Sequence, residues 1–239
     1  MKLKNRVTGI TTAFVAAALL SGAAARADLI ISQTVSSPPG VGTFLTPDWS
    51  ALISIAKFNP ALGNLNSVVF SMTGLVQGSA QVENTSPSSG SDVKLTLASG
   101  LTLTRPGGGP ALVVATPLSI TLFSASVFDG VVDFAGTSGA TLSGLLGTKF
   151  NSAHYESAAD LALFTGAGSI SLPLTAVGDS RASGGGSTIS LFATEARGEV
   201  TVTYKYSAAA VPEPRVYGAV GALLCVGFAA LRRLRSKSS

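Results

Sequence analysis

The chain is short of the residues that most often carry chemistry. Its 239 residues include one histidine, His154, one cysteine, Cys225, and one tryptophan, Trp49. A single cysteine excludes an intrachain disulfide, and inside an apolar run near the C-terminus Cys225 reads as a small lipid-facing residue. A lone histidine offers a Ser or Cys nucleophile one base at most, His154 beside Tyr155 and Glu156. No G-x-S-x-G elbow leads into a helix, and zinc chemistry lacks clustered His and Cys. Residues 107–109 and 184–186 are glycine runs with no following helix and Lys-Ser or Lys-Thr, so they are loops rather than phosphate cradles. No catalytic residue is expected from these patterns, no cofactor, and no enzyme.

Charge is also scarce, at 12% of residues, yet the net charge of +4 would normally prompt a search for a nucleic-acid partner. Position removes that reading. Residues 1–27 hold four bases and no acid, residues 211–239 hold five bases against Glu213, and residues 28–210 hold seven bases against eleven acids. The body is acidic, which excludes a nucleic-acid-binding role for it. Its many glycines and few charges would suit a disordered chain, but a 46% hydrophobic content arranged in alternation argues for a packed core.

What is present is concentrated at the two ends and in that alternation. Lys2, Lys4 and Arg6 precede an apolar stretch over 13–20 and small residues ending Ala25-Arg26-Ala27. This is the pattern of a signal peptide, with cleavage after Ala27 and Ala25 as a neighbouring site. At the other end residues 216–231 form an uncharged run of sixteen, which as a helix spans about 24 Å at ~1.5 Å per residue. That is short of a bilayer core of ~30 Å, and snorkelling by Arg232, Arg233 and Arg235 with local thinning makes up the deficit. The cationic flank keeps the run's end cytoplasmic while the signal sends the body across. A transmembrane helix is expected there.

Val211-Pro212-Glu213-Pro214 stands just before the run, and its prolines hold the segment extended, as a protease cleft requires. A Pro-Glu-Pro motif, an apolar helix and a terminal arginine cluster resemble the PEP-CTERM sorting signals. The resemblance implies Sec export, removal of the leader by signal peptidase, transient anchoring in the inner membrane of a Gram-negative cell facing the periplasm, and trimming by an exosortase. The body then goes to the cell surface or outside, within an exopolysaccharide layer. Pro212, Glu213, Pro214, Arg232, Arg233 and Arg235 are recognised rather than catalytic.

The middle alternates with period 2 at 93–97, 101–104 and 200–206, burying one face of each strand. Further strands are expected at 29–35, 51–58, 66–75, 80–84, 112–123, 169–174 and 187–192, and no span shows a convincing 3.6-residue period. Turn residues over 86–90, 106–110 and 183–186 separate them. The fold class expected is all-β, an antiparallel β-sandwich with jelly-roll-like or immunoglobulin-like layering. The divisions are a signal peptide over 1–27, a β-sandwich ectodomain over 28–209 and a sorting signal over 210–239. Pro173 places its strand at an edge or bulge. Residues 57–65, 81–84, 129–134 and 160–166 together resemble the choice-of-anchor E family of surface domains, which implies a surface location and a single β domain.

Candidate chemistry in the middle is thin. Asp129 and Asp133 are the nearest pair of acids for glycosidase work; four residues apart on one strand puts them about 13 Å apart, beyond the ~5–9 Å that reaction needs. A turn at Asp129-Gly130 would draw them together as Ca²⁺ ligands, whereas the plainer reading has Asp129 start a turn and Asp133 cap the next loop. Trp49 and Phe44 offer rings for a sugar but sit beside core residues. Asn84-Thr85-Ser86 matches a glycosylation sequon. Rows of Thr and Ser suit solvated strand faces or a sugar-binding face. The expectation is a non-catalytic surface or matrix protein; the alternatives are a carbohydrate-binding or adhesive module, and a secreted glycan hydrolase using Asp129, Asp133 or Glu156.

Overall fold

The computed structural model describes residues 28–39, 42–184, 186–209, 221–228 and 233. Two long strands fix its architecture. β3 (Gly63–Asn84) and β10 (Thr188–Ala208) pair antiparallel from end to end, with Thr188 opposite Asn84 and Ala208 opposite Gly63. β1 (Leu29–Ser37) adds to the free side of β10 and β7 (Gly139–Tyr155) to the free side of β3, giving a four-stranded sheet in the order β1-β10-β3-β7. The facing sheet runs β2 (Trp49–Ala56), β8 (Ser169–Gly178), β4 (Ser91–Thr104), β5 (Ala111–Ala115). Two further strands, β6 (Leu118–Ala125) and β9 (Arg181–Gly184), flank the first half of β4, both pairing Val93 from opposite sides. All the strand pairings are antiparallel, and they nest: β1 with β10, β2 with β8, β3 with β7, β4 with β5.

Alternation explains why these segments pair into two layers. Val68, Phe70, Met72 and Val76 of β3 and Val200, Val202 and Tyr204 of β10 point inward and are buried, while Ser71, Thr73, Thr201 and Thr203 point outward. Ile53, Ile55, Leu101, Leu103, Leu172 and Leu174 meet them from the other sheet. The main cluster has twenty-one buried residues among those described, and each large side chain removed from water contributes about 1.5–3 kcal/mol. A second, smaller cluster of Ala80, Val82, Val93 and Leu95 lies toward the far end of the sandwich.

The open sides of the sandwich are closed by side-chain amides. Gln33 of β1 donates to the Ala56 carbonyl at 2.8 Å and accepts its N–H at 2.9 Å, filling a backbone position on the exposed edge of β2. On the other side Asn151 of β7 donates to the Val114 carbonyl of β5 at 2.8 Å. Each amide takes up one edge position, at Ala56 and at Val114, that another chain would otherwise pair with.

Several expectations change. The segments at 66–75 and 80–84 form one continuous strand, as do 93–97 with 101–104 and 187–192 with 200–206. The segment 112–123 is two strands, because Pro117 lacks the N–H that a continuous ladder needs. β7 and β9 were not expected. Nor was the helix α1 (Ala158–Phe164), whose seven residues are too few to display a period; the Ser157 hydroxyl caps it by accepting the Asp160 N–H at 3.1 Å, and Phe164 anchors it in the core. Pro173 lies in β8, an interior strand between β2 and β4. It is tolerated because the β4 ladder stops at Leu174, so on that side position 173 has no strand partner to bond.

Residues 221–228 of the C-terminal apolar run are helical, with Leu223, Leu224, Val226 and Phe228 exposed. Among the described residues no helix is long and apolar enough to cross a membrane. The rest of the run, Pro212, Glu213, Pro214, Arg232 and Arg235, together with Ala25 and Ala27, lie outside the described residues.

Candidate functional site

The acids singled out in the sequence are placed by a loop over one end of the four-stranded sheet. Between β6 and β7 the chain turns at Gly130 and folds back, with the Ser126 N–H bonded to the Thr137 carbonyl at 2.8 Å. Asp129 Oδ1 accepts the Val131 N–H at 3.0 Å, and Asp133 Oδ1 accepts the Ala135 N–H at 2.9 Å. Each carboxylate thus closes its own Asx-turn, the plainer of the two readings. No group of three or more His, Cys, Asp or Glu among the described residues is arranged to hold a metal ion. Glu156 cannot join the two aspartates in a hydrolytic pair. It follows the last residue of β7 whereas their loop precedes the first, and seventeen residues of strand separate the two ends, on the order of 50 Å at ~3.3 Å per residue.

The loop covers a residue that the sequence reading passed over. Glu83 is fully buried, and its carboxylate packs directly on Gly139, where a Cβ would stand 2.0 Å from Oε2. Oε2 accepts the Phe134 N–H at 2.9 Å, while Oε1 has no partner in the protein. Next to it Asn84, also fully buried, donates to the carbonyls of Ser89 and Ser126 at 2.8 and 2.7 Å and accepts the Ser86 N–H at 3.1 Å. Asn84 therefore ties three segments together, and as a sequon asparagine it is out of reach. The signal was its place at the end of a hydrophobic strand, just before a Ser-Pro turn.

At the opposite end a different cluster seals the main core. Arg105 Nη2 bonds Asp160 Oδ1 at 2.6 Å, and its guanidinium stands over the Tyr155 ring, 5.3 Å from the centroid. Tyr155 donates its hydroxyl to the Leu112 carbonyl. The Arg105 hydrogen bond, with that of Ser157, holds the Asp160 carboxyl below the usual carboxylate range, and burial pushes the Tyr155 phenol up. Both Asp160 oxygens and the Tyr155 hydroxyl are engaged within the cluster, which ties α1 to β7 and to the turn after β4.

The remaining candidates are likewise placed. His154 lies on the outer face of β7, exposed, with Nε2 3.3 Å from Glu156 Oε1. Neighbouring Ser152 uses its backbone N–H on Asn151 Oδ1. Trp49 packs on the main core, and the Phe44 ring is covered by the Arg197 guanidinium 5.5 Å from its centroid. The hydroxyl rows lie on the outer face of the four-stranded sheet, where Thr34 bonds Thr201 at 2.8 Å and Ser32 bonds Thr203 at 3.0 Å, satisfying one another across the strands.

One concavity of about 500 Å³ remains on the outer face of the other sheet, lined by Asp92, Lys94, Leu122, Ser124 and Ser183. A second of about 210 Å³ lies between β1 and β2, against Ile31, Phe58 and Leu62. Two of its polar groups are engaged: the Tyr204 hydroxyl donates to the Ala56 carbonyl at 2.7 Å, and Gln33 is held by the same residue.

No family model matches the chain, and no curated protein does. Among solved structures it is similar to the infectious bursal disease virus Gx strain, at 15% identity over 77% of this chain and 36% of that one, with a TM-score of 0.15. The T13 particle of the same virus gives 12% identity over 78% and 41%, with a TM-score of 0.16. The chain thus spans well under half the length of these structures, and superpositions this loose carry no argument.

Proposed function

We propose that the chain is an exported surface or matrix protein, in which a non-catalytic β domain is delivered by a removable C-terminal sorting signal. The observation that carries this is the order of parts in the sequence: a basic, apolar, small-residue leader ending Ala25-Arg26-Ala27, then the body, then Pro212-Glu213-Pro214, the uncharged run and Arg232, Arg233 and Arg235. The run and its arginines stop transfer, and the extended Pro-Glu-Pro segment presents the peptide bond to a membrane-embedded peptidase.

The nested strand pairs support a jelly roll for the body, since β1 with β10, β2 with β8, β3 with β7 and β4 with β5 trace one long hairpin wrapped into two sheets. A scaffold role is supported by what the suspected side chains do instead of chemistry. Asp129 and Asp133 close turns, Trp49 packs on the main core, and Phe44 stacks under Arg197.

Fractionation of the native host tests the reading. The unaltered protein is expected at the cell surface or in the medium, and a variant with Pro212, Glu213 and Pro214 replaced by alanine is expected to accumulate in the inner membrane. Equal distribution of the two proteins would refute it.

A further inference from the structure

We propose that the concavity on the outer face of the six-stranded sheet is a binding groove for a neutral saccharide. It goes beyond the sorting reading and needs from it only that the domain meets glycans. The groove forms where β4 runs between β6 and β9. Register puts Asp92 opposite Ser124, and Lys94 opposite both Leu122 and Ser183, so five side chains from three strands share one patch of the outer face. Behind the patch Val93 and Leu95 belong to the smaller core, which makes its floor rigid.

Close approach of β9 builds the third wall. At Gly184 a Cβ would stand 2.3 Å from the Asp92 carbonyl, so only glycine lets this short strand seat against β4.

The chemistry of the lining selects its ligand. Sugar hydroxyls both donate and accept, and they are best met by a mixture of groups: a carboxylate that only accepts, an ammonium that only donates and hydroxyls that do both. Asp92, Lys94, Ser124 and Ser183 supply that mixture. Ser124 donates to Asp92 Oδ1 at 2.6 Å, orienting the carboxylate and leaving Oδ2 for a ligand. Leu122, 77% exposed, is the apolar wall on which the C–H face of a pyranose packs.

One acid and one base on adjacent outward positions of β4 leave the patch without net charge. That disfavours a polyanion, whose carboxylates would meet Asp92, and suits a neutral chain. A volume of about 500 Å³ is within the range of small-ligand sites. An open groove of this kind binds a saccharide weakly, with a dissociation constant on the order of 1 mM.

The test uses the full chain purified in a sugar-free zwitterionic detergent and titrated by saturation-transfer NMR. The probes are cellotetraose, maltotetraose and mannotetraose, with tetragalacturonic acid as the anionic comparison. At least one neutral tetrasaccharide is expected to bind; Asp92→Asn, Lys94→Met and Leu122→Asp should each weaken it about tenfold or more. The exposed Ser54→Ala on β2 should leave binding unchanged, and far-UV circular dichroism should be the same for all variants. Absence of binding by every neutral probe, tighter binding of the galacturonate, or equal affinity in the groove variants would overturn the proposal. None of these results bears on where the chain is cleaved, so the sorting reading stands or falls separately.

Discussion

The two ends of the sandwich are held together by different means. One is filled with apolar and aromatic side chains: Phe58, Phe70, Phe164, Tyr204 and Tyr206 meet with ring centroids 5.1–6.1 Å apart, and Arg105 and Asp160 close the end. The other buries few apolar residues and, beside them, Glu83, Asn84 and Ser138, secured by the loop over 126–138. Apolar burial is non-directional and tolerates small shifts, whereas a buried polar group holds only while its partners stay in place. The lean end therefore depends on specific hydrogen bonds, and it is there that the outer face carries a groove.

The contrast orders the expected effects of substitution. Phe70→Ala, in the aromatic end, should cost about 3–5 kcal/mol by urea unfolding. Asn84→Ala strands two carbonyls and an N–H and should cost about 2–3 kcal/mol. If Asn84→Ala proved the more damaging, the polar end would be the dominant one and the contrast would reverse.

Alkali tests the aromatic end in another way. Burial pushes the Tyr204 phenol up to about 12. A folded-state value above the unfolded one means full stability below about pH 10, with a loss of roughly 2 kcal/mol as the pH rises through 12. Tyr204→Phe should flatten that limb, and an unchanged alkaline profile would remove Tyr204 as its cause.

At the acid end, Asp160 is held below the usual range, so its contribution is present above the unfolded value near 4 and is lost as pH falls through the folded one. Arg105→Ala should cost about 1 kcal/mol at pH 7. That cost should shrink toward pH 2, which unfolding at the two pH values would show.

The smallest effect belongs to Asp129→Asn, since an amide oxygen can accept the Val131 N–H equally well; the change should stay within about 0.5 kcal/mol. A larger loss, or a melting temperature raised by calcium in the unaltered protein alone, would show that the loop holds a cation.

Much of the layering was legible because the outward positions are polar. Thr201, Thr203 and Lys205 against Val200, Val202 and Tyr204 spell one face in and one face out. β7 was not, because its outer face carries Leu146 and Phe150 and its inner face includes Gly147, so the alternation is blurred. The long strands read as pieces because glycines such as Gly74, Gly78 and Gly198 interrupt the pattern without ending the pairing. α1 left one trace, Ser157 three residues before Asp160. The groove could not be read at all: residues 92–94, 122–124 and 183–184 become neighbours only through the register of three strands.

The account's central claim is that the tail is an address removed after delivery. Intact mass of the protein recovered from the surface or medium of living cells tests it most directly. The account predicts a chain beginning at Asp28 and ending near Pro212-Glu213-Pro214. A mass that still includes Cys225 and the arginines after it would contradict it.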